Sequence, residues 1–310
     1  MKNKKICVIG GAGFLGSHLV NYLVERNDVL VLDNLISGRK DFIHPEARFV
    51  WCDITQSEFT LSKIFISNKI DYVFNYAAEP YVPLSYERPL HVFEVNAKAA
   101  LMVMNAAQDA GVESVLQVSS AEIYGDICGK IKEEDNARPR SSYGASKQAI
   151  DTIVQTRWRE AKSPTIALRQ FNCLGERDIL HPYIIPEVIE QALKSDTIYL
   201  GNNTFRDFLY AGDQAKMAVE LLEKGQFGEV YNLGSEEGIK IYDLALLIGK
   251  LMGKELTITE DPKRKRPWDI DHLQSDNNKI YSVIDYRPQV SFEEALKLTI
   301  DSYLSYVRAK

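Results

Sequence analysis

The chain has 310 residues, of which 45% are apolar, and a formal net charge of −6. This length and composition are typical of a globular protein with one large domain, or with two domains that share a cleft. The acidic balance gives no reason to expect a nucleic-acid partner, and no run of about 20 apolar residues predicts a membrane span.

The four cysteines, Cys7, Cys52, Cys128 and Cys173, are widely spaced and form no C-x-x-C pair. This spacing indicates reduced thiols and no metal site. The N-terminal stretch "MKNKKICVIGG" passes directly into a predicted strand, so we expect no signal peptide. Together these features predict a cytoplasmic protein.

The first half of the chain alternates between strand and helix patterns. Strands are predicted at 5–10, 28–34, 47–54, 70–78, 112–120 and 165–171, and helices at 16–27, 59–69, 91–111 and 142–161. Continuous apolar strands that alternate with helices are typical of a parallel sheet covered on both faces. We therefore predict an α/β fold with a Rossmann-type, doubly wound parallel sheet.

After Phe171 the pattern changes, with more prolines and shorter elements. Helices are predicted at 186–194, within 205–224 and at 291–307, and a strand at 228–235. This change predicts two units: a Rossmann-type domain over 1–171 with a returning segment at about 205–234, and a smaller, discontinuous α/β lobe over 172–310.

The segment "VIGGAGFLGSHL" joins the first predicted strand to the first helix. Gly11, Gly13 and Gly16 form a G-x-G-x-x-G pattern, and Gly10, Gly13 and Gly16 give G-x-x-G-x-x-G. Glycines permit a tight turn and a close approach of the backbone to a pyrophosphate, which the N–H groups of the helix N-terminus bind. Because a strand precedes and a helix follows, the pattern predicts a dinucleotide site, with a purely structural turn as the alternative.

The ends of the second and third predicted strands carry carboxylates. Asp33 lies 20 residues after Gly13, where a carboxylate accepts hydrogen bonds from the adenosine ribose and repels a 2′-phosphate. This position favours NAD over NADP, although the nearby Arg39 and Lys40 oppose that preference. Asp53 is predicted either to meet the adenine amino group or to cap a helix.

The stretch "SSYGASKQ" places Tyr143 and Lys147 four residues apart, and therefore on one face of a predicted helix. A tyrosine with a pKa near ~10 is a poor base at neutral pH. A neighbouring ammonium group favours the phenolate, and Tyr143 is therefore predicted to exchange a proton with a sugar hydroxyl while hydride leaves the same carbon.

In combination, these motifs resemble those of the extended short-chain dehydrogenase/reductase superfamily, and in particular its nucleotide-sugar epimerases and dehydratases. The resemblance covers nearly the whole chain and includes "GGAGFLGSH", "YAAE", "SSAEIYG", "YGASK", "RDF", "YNLGS" and "RKRPWDI". It implies a resident NAD, a nucleoside-diphosphate sugar as substrate, and chemistry that begins with transient oxidation at the sugar C4.

The resemblance also implies roles for individual residues. The implied catalytic residues are Ser120, Glu122, Tyr143 and Lys147. The implied cofactor-binding residues are Gly10, Gly13, Phe14, Leu15, Gly16, Asp33, Asn34, Asp53, Ile54, Ala77, Ala78, Asn96, Tyr143 and Lys147. The implied substrate-binding residues are Glu79, Ser120, Asn172, Arg206, Arg266 and Asp269.

Two of these substrate contacts leave an alternative open. Arg206 suits a diphosphate because its guanidinium is a fork of donors, but an internal ion pair with Asp207 or Asp213 is the structural alternative. Trp268 stands where the family usually has a small residue, which affects the geometry expected around Asp269.

Glu122 separates the possible reactions. A 4,6-dehydratase of this family has a glutamate at this position to remove the C5 proton, whereas a 4-epimerase needs no further base. Dehydratases that act on dTDP-glucose carry an aspartic acid where this chain has Ala121, although GDP-mannose-type dehydratases do without it. We therefore predict an NAD-dependent nucleoside-diphosphate-hexose 4,6-dehydratase. The alternatives are a 4-epimerase, a decarboxylase or reductase, and a non-catalytic NAD-binding regulator.

The resemblance further implies a homodimer. The helices that contain "NAKAALMVMNAA" and "SKQAIDTIVQTRW" are expected to pair across a two-fold axis. The alternative is that the same alanine- and methionine-rich faces pack against the sheet.

Overall fold

The computed structural model describes residues 1–179 and 183–308. The strands are β1 (Lys5–Ile9), β2 (Asp28–Asp33), β3 (Arg48–Trp51), β4 (Tyr72–Asn75), β5 (Ser114–Ser120), β6 (Thr165–Gln170), β7 (Asn172–Leu174), β8 (Thr197–Leu200), β9 (Phe205–Tyr210), β10 (Val230–Leu233), β11 (Gly238–Lys240), β12 (Thr257–Glu260) and β13 (His272–Leu273).

The helices are α1 (Phe14–Val24), α2 (Glu58–Asn68), α3 (Leu84–Glu87), α4 (Pro89–Phe93), α5 (Ala99–Asp109), α6 (Ser142–Ala161), α7 (Ile184–Lys194), α8 (Ala211–Lys224), α9 (Ile241–Leu251), α10 (Asn278–Tyr281) and α11 (Phe292–Arg308). None of those described is long and apolar enough to cross a lipid bilayer.

Seven strands form one parallel sheet in the order β10-β6-β5-β4-β1-β2-β3. The six strands predicted from the first half of the chain all lie in it, and the predicted Rossmann-type fold is confirmed. Except in the edge strand β3, most of their residues are buried because the sheet is covered on both faces, as is typical of parallel sheets. The strand order reverses between β1 and β4, and a crevice forms at such a point, beyond the carboxyl ends of the strands.

The later part of the chain contributes to both lobes. β10 pairs with β6 at the edge of the large sheet, and α8 packs against α1. A second, four-stranded sheet has β9 at its centre, paired with β7, β11 and β13, while β8 and β12 form a separate pair. The division of the chain into two domains stays a prediction.

The helix predicted at 91–111 is not continuous. The chain forms α4, then a single π-helical segment over Glu94–Lys98, and then α5. A π-turn widens the helix locally and frequently occurs at functional sites. Here it contains Asn96, whose side chain is fully buried.

Candidate active site

A cleft with a cavity volume of about 570 Å³ lies between the carboxyl ends of the large sheet and the second lobe. Most of the residues predicted to bind or react line it. They are Gly10, Gly13, Phe14, Leu15, Gly16, Asp33, Asn34, Asp53, Ile54, Ala77, Ala78, Ser120, Glu122, Tyr143, Lys147, Asn172, Arg206, Arg266 and Asp269.

The glycine loop has the conformation that a nucleotide diphosphate needs. Gly10 has a φ of +78°, a value that favours glycine. A side chain at Gly16 would collide with the carbonyl of Gly10, so only glycine lets α1 begin this close to β1. The N-cap of α1, Gly13, has no side-chain cap. The first N–H groups of α1 are therefore available to an anion, and the loop fits the pyrophosphate of NAD.

The Asp33 carboxylate lies at the end of β2 and is held by two backbone N–H groups. Ala12 N donates to one oxygen at 3.0 Å, and Leu35 N donates to the other at 2.8 Å. Burial raises the pKa of Asp33, and these two hydrogen bonds oppose that shift. Each carboxylate oxygen keeps a further acceptor site, so the carboxylate is able to accept the ribose hydroxyls.

The basic residues after β2 do not line the cleft. The Arg39 guanidinium donates to both carboxylate oxygens of Asp41, at 3.0 and 2.7 Å. Asp53 does line the cleft and accepts hydrogen bonds from the N–H and hydroxyl of Thr55. It does not cap α2, because Ser57 occupies that position.

Ser120 and Tyr143 meet where β5 ends and α6 begins. The Ser120 hydroxyl lies close enough to the Tyr143 hydroxyl to influence its pKa, and both side chains are less than 10% exposed. Gly144 makes this approach possible, because a Cβ at that position would lie 2.7 Å from the Glu122 carbonyl oxygen. The "YGASK" motif thus brings its tyrosine against the end of β5.

The electrostatics of this pair differ from the prediction. Burial raises the pKa of Tyr143, and the neighbouring Ser120 hydroxyl opposes this shift. The negative charges of Glu122 and Glu79 raise the pKa of Tyr143 further. Lys147 Nζ lies 5.8 Å from the centre of the Tyr143 ring and donates to the Val118 carbonyl oxygen at 3.1 Å. In the protein alone, therefore, Lys147 does not lower the pKa of Tyr143.

Lys147 itself is buried, and burial lowers its pKa to about 8, with Asp151 opposing the shift. Asp151 lies one turn further along α6 and forms a buried ion pair with Arg169, at 2.7 Å. Lys147 is therefore a desolvated cation at the floor of the cleft, where an electron-rich ligand would stabilise its charge.

Glu122 lies in a short 3₁₀ turn over Ala121–Ile123, directly after β5. Its backbone N–H donates to Ser120 Oγ at 3.2 Å. Burial raises the pKa of Glu122, Asp269 adds to the shift, and Arg206 and Arg266 oppose it. A carboxylate with a raised pKa is a stronger base than one in water, which is the property that proton abstraction requires.

Arg206 and Asp269 were predicted as separate ligand contacts, but they form an ion pair with each other. Arg206 Nη2 and Asp269 Oδ1 are 2.9 Å apart. Neither alternative partner binds Arg206: Asp207 accepts hydrogen bonds from Ser235 and Ser275 instead, and Asp213 binds elsewhere. The guanidinium of Arg206 therefore reaches the cleft already paired.

Arg266 also lines the cleft, and its charge acts on Arg206. Its backbone N–H donates to Asn202 Oδ1 at 2.8 Å. Across the described ranges 1–179 and 183–308, no carboxylate lies within 4.0 Å of its guanidinium. Arg266 is thus available for an anionic ligand. Trp268, whose side chain is 62% exposed, points to solvent.

Two predicted residues are not on the wall of the cleft. Asn96 donates to the Glu79 carbonyl oxygen and to Ser146 Oγ, and it accepts from Glu79 N at 2.8 Å. The Asn96 amide ties the segment after β4 to α6, and its predicted contact with the cofactor stays a prediction. Glu79 is held at its backbone by this contact, and its carboxylate accepts a hydrogen bond from Tyr81 N.

Three of the cleft residues that were not predicted from the sequence bear on its chemistry. Tyr81 and Tyr183 meet edge to face, with ring centres 6.2 Å apart, and both line the cavity. Asp178 also lines it, in the loop after β7. Tyr81 lies in "EPYVP" and Asp178 in "ERD", which are common loop sequences, and Tyr183 is in a proline-containing stretch. No sequence signal therefore distinguishes these three residues from surface residues.

Comparison with known proteins gives the family. Residues 6–234 match the model of the NAD-dependent epimerase/dehydratase family. A mouse dTDP-D-glucose 4,6-dehydratase is 30% identical, and the alignment covers 97% of this chain and 88% of that one. A UDP-glucose 4-epimerase from Lactobacillus helveticus is 32% identical over 92% of each chain.

A solved dTDP-glucose 4,6-dehydratase from Streptomyces venezuelae, with NAD bound, superposes with a TM-score of 0.88 at 28% identity and covers 97% of both chains. The relatives thus include both of the reactions that the sequence left open. The chain is an enzyme of the NAD-dependent epimerase/dehydratase family.

Proposed function

We propose that this enzyme is a 4,6-dehydratase of a nucleoside-diphosphate hexose. The observation that carries the proposal is the position of Glu122: a desolvated carboxylate on the wall of the cleft, two residues from Ser120 and electrostatically coupled to Tyr143. A 4-epimerase has no step for such a base, whereas a dehydratase needs one for the C5 proton.

In this proposal the glycine loop and Asp33 hold NAD. Gly10, Gly13 and Gly16 leave room for the pyrophosphate, and Asp33 accepts the adenosine ribose hydroxyls. Phe14, Leu15, Asn34, Asp53, Ile54, Ala77 and Ala78 complete the wall around the nucleotide. Bound there, NAD would supply the hydride acceptor for C4 and the hydride that reduces C6 after water has left.

Ser120 and Tyr143 act on the sugar C4 oxygen. The two hydroxyls are neighbours on the wall of the cleft, and Tyr143 removes the C4–OH proton. Because burial raises the pKa of Tyr143 in the protein alone, this tyrosine needs a further positive charge to become a base. Lys147, 5.8 Å from the ring centre, does not supply enough charge on its own, and the cationic nicotinamide of a bound NAD would add to it.

Once C4 is a ketone, the C5 proton becomes acidic and Glu122 removes it. Elimination of the C6 hydroxyl then gives a double bond between C5 and C6. The diphosphate lies towards Arg206 and Arg266, with Asn172 on the same wall. Arg266 is the main contact for the diphosphate because it has no carboxylate partner among the described residues. Arg206 and Asp269 form an ion pair beside it.

The test compares wild type with Glu122→Gln on a panel of UDP-, GDP-, dTDP- and CDP-hexoses. Wild type is expected to release a product lighter by one water, as read by mass spectrometry, with solvent deuterium at C5. The variant should still oxidise C4, visible as the near-ultraviolet absorbance of reduced nicotinamide, but it should release little dehydrated product. Wild-type product of unchanged mass, without deuterium at C5, would reject the dehydratase.

A 4-epimerase is the second candidate, and one observation favours it. The charges of Arg206 and Arg266 both act on Glu122, so the carboxylate also fits a purely electrostatic role beside the diphosphate. In that case Glu122→Gln should have a mild effect on turnover, and NMR couplings of the product should show inversion at C4.

The expected homodimer remains a proposal. Part of the predicted contact is used within the chain, since Ala100 and Met104 of α5 pack against Ile150 and Val154 of α6. What stays exposed is α4, where Leu90 is 71% and Phe93 46% exposed. We therefore place the proposed two-fold contact at α4 and the adjoining outer faces of α5 and α6.

A further inference from the structure

Elimination of a hydroxyl group needs an acid as well as a base. Hydroxide is a poor leaving group, so the departing oxygen must receive a proton as its bond to carbon breaks. Glu122 is assigned to the C5 proton, and its neighbour Ala121 has no acidic group. The identity of this acid is a question that rests on the proposed dehydratase function and concerns the same cleft.

Six carboxylates line the described part of the cleft: Asp33, Asp53, Glu94, Glu122, Asp178 and Asp269. Four besides Glu122 have other contacts. Asp33 and Asp53 lie at the nucleotide end and accept hydrogen bonds from the backbone. Asp269 is paired with Arg206. Glu94 is about half exposed, 3.9 Å from Lys98 Nζ.

Asp178 differs from all of these. Among the described residues its carboxylate has neither a hydrogen bond nor an ion pair. Its backbone N–H donates to the Gly175 carbonyl oxygen at 3.3 Å, which places it in the tight turn after β7. Burial alone raises the pKa of Asp178 to about 7. A carboxyl with this pKa is half protonated near neutrality, which suits an acid.

The surroundings connect Asp178 to the reacting end of the cleft. Its charge acts on Tyr183, and Tyr183 is in turn electrostatically coupled to Tyr143 and Glu79. Tyr183 packs edge to face on Tyr81, so the two rings form an aromatic wall beside the catalytic tyrosine. Asp178 therefore belongs to the sugar end of the cleft.

We propose that Asp178 is the acid that protonates the leaving C6 oxygen of the sugar. The C5–H bond breaks and its proton goes to Glu122, while its electron pair forms the C5–C6 double bond. The C6–O bond breaks, and the oxygen leaves as water with the proton of Asp178. The hydride taken from C4 would then reduce C6, while C5 takes a proton back from Glu122 after its exchange with solvent. Asp178 is reprotonated from solvent, and no further reactant is consumed.

The test uses the holoenzyme variant Asp178→Asn in D₂O, with the sugar nucleotide that wild type dehydrates. The variant should oxidise C4 and exchange the C5 proton for deuterium, but it should release product about 10²-fold more slowly, the contribution of one positioned acid. Glu122→Gln should instead lose both exchange and release. Glu94→Gln, another carboxylate of the cleft, is the matched control and should behave as wild type.

The pH profile gives an independent measurement. An acid with a pKa of about 7 is lost as the pH rises, so product release by wild type should fall through about pH 7. This limb should be absent in Asp178→Asn and present in Asp178→Glu. Product release by Asp178→Asn at the wild-type rate, or loss of C4 oxidation in that variant, would overturn the role of Asp178 but leave the proposed dehydratase function standing. Failure of wild type to dehydrate any sugar would overturn the proposed function as well.

Discussion

Arg206 and Asp269 form an ion pair of 2.9 Å on the wall of the cleft, and both charges act on Glu122 in opposite directions. Arg206 lowers the pKa of that carboxyl and Asp269 raises it. The pair therefore adjusts the basicity of Glu122 without needing to touch the substrate.

This arrangement predicts opposite pH shifts from two substitutions. A base must be ionised to act, so the acid limb of the kcat/KM profile follows the pKa of Glu122. Asp269→Asn removes a negative charge and should move this limb to lower pH, whereas Arg206→Gln should move it to higher pH. Shifts in the same direction would show that the limb belongs to another group.

Tyr143→Phe removes the hydroxyl next to Ser120 and leaves the ring in place. We expect turnover to fall by about 10²–10⁴-fold, the usual contribution of one acid–base group. NAD binding should survive, because the glycine loop and Asp33 are untouched. Steady-state kinetics and fluorescence titration with NADH measure the two effects, and near-normal turnover would contradict the whole mechanism.

Lys147→Met should change the pH dependence of stability. The pKa of Lys147 is 10.5 when exposed in the unfolded chain and about 8 in the folded protein. Between these values the unfolded state binds more protons, so the free energy of unfolding gains a contribution that rises with pH. Urea unfolding of nucleotide-free protein should show this rise in wild type relative to Lys147→Met, which should also lose turnover.

Asp33→Ala should relax the preference for NAD over NADP. The substitution removes the charge that repels a 2′-phosphate. Arg39 is not expected to attract that phosphate, because its guanidinium is already paired with Asp41. Asp33→Asn is the control, since it keeps an acceptor for one backbone N–H. Tighter binding of NADP than of NAD by wild type in calorimetry would refute the role of Asp33.

The exposed apolar residues of α4 provide a test of the proposed homodimer. Leu90→Glu combined with Phe93→Glu places two charges on a surface that would be buried, and should convert a dimer to a monomer in sedimentation velocity. In the part of the chain that the structure describes, neither side chain belongs to a hydrophobic core cluster, so the fold should persist by circular dichroism. A wild-type monomer at micromolar concentration would reject the proposal.

Much of the nucleotide site is determined by local sequence. The glycine loop, Asp33 at a strand end and the Tyr143–Lys147 spacing are each set within one strand–turn–helix unit, where hydrophobic periodicity and backbone sterics act over a few residues. For this reason the sequence alone predicts the parallel sheet and the position of these groups along it.

Only the tertiary structure decides which charges meet. Arg206 is next to Asp207 in the chain but pairs with Asp269, 63 residues away, because β9 buries Asp207 on the other side, where Ser235 and Ser275 satisfy it. Likewise, Asn96 is turned to Glu79 by the π-turn before α5, and Asp178 reaches the cleft through the turn after β7. Burial and long-range packing set the pKa of each group, and neither is encoded in the spacing of neighbouring residues.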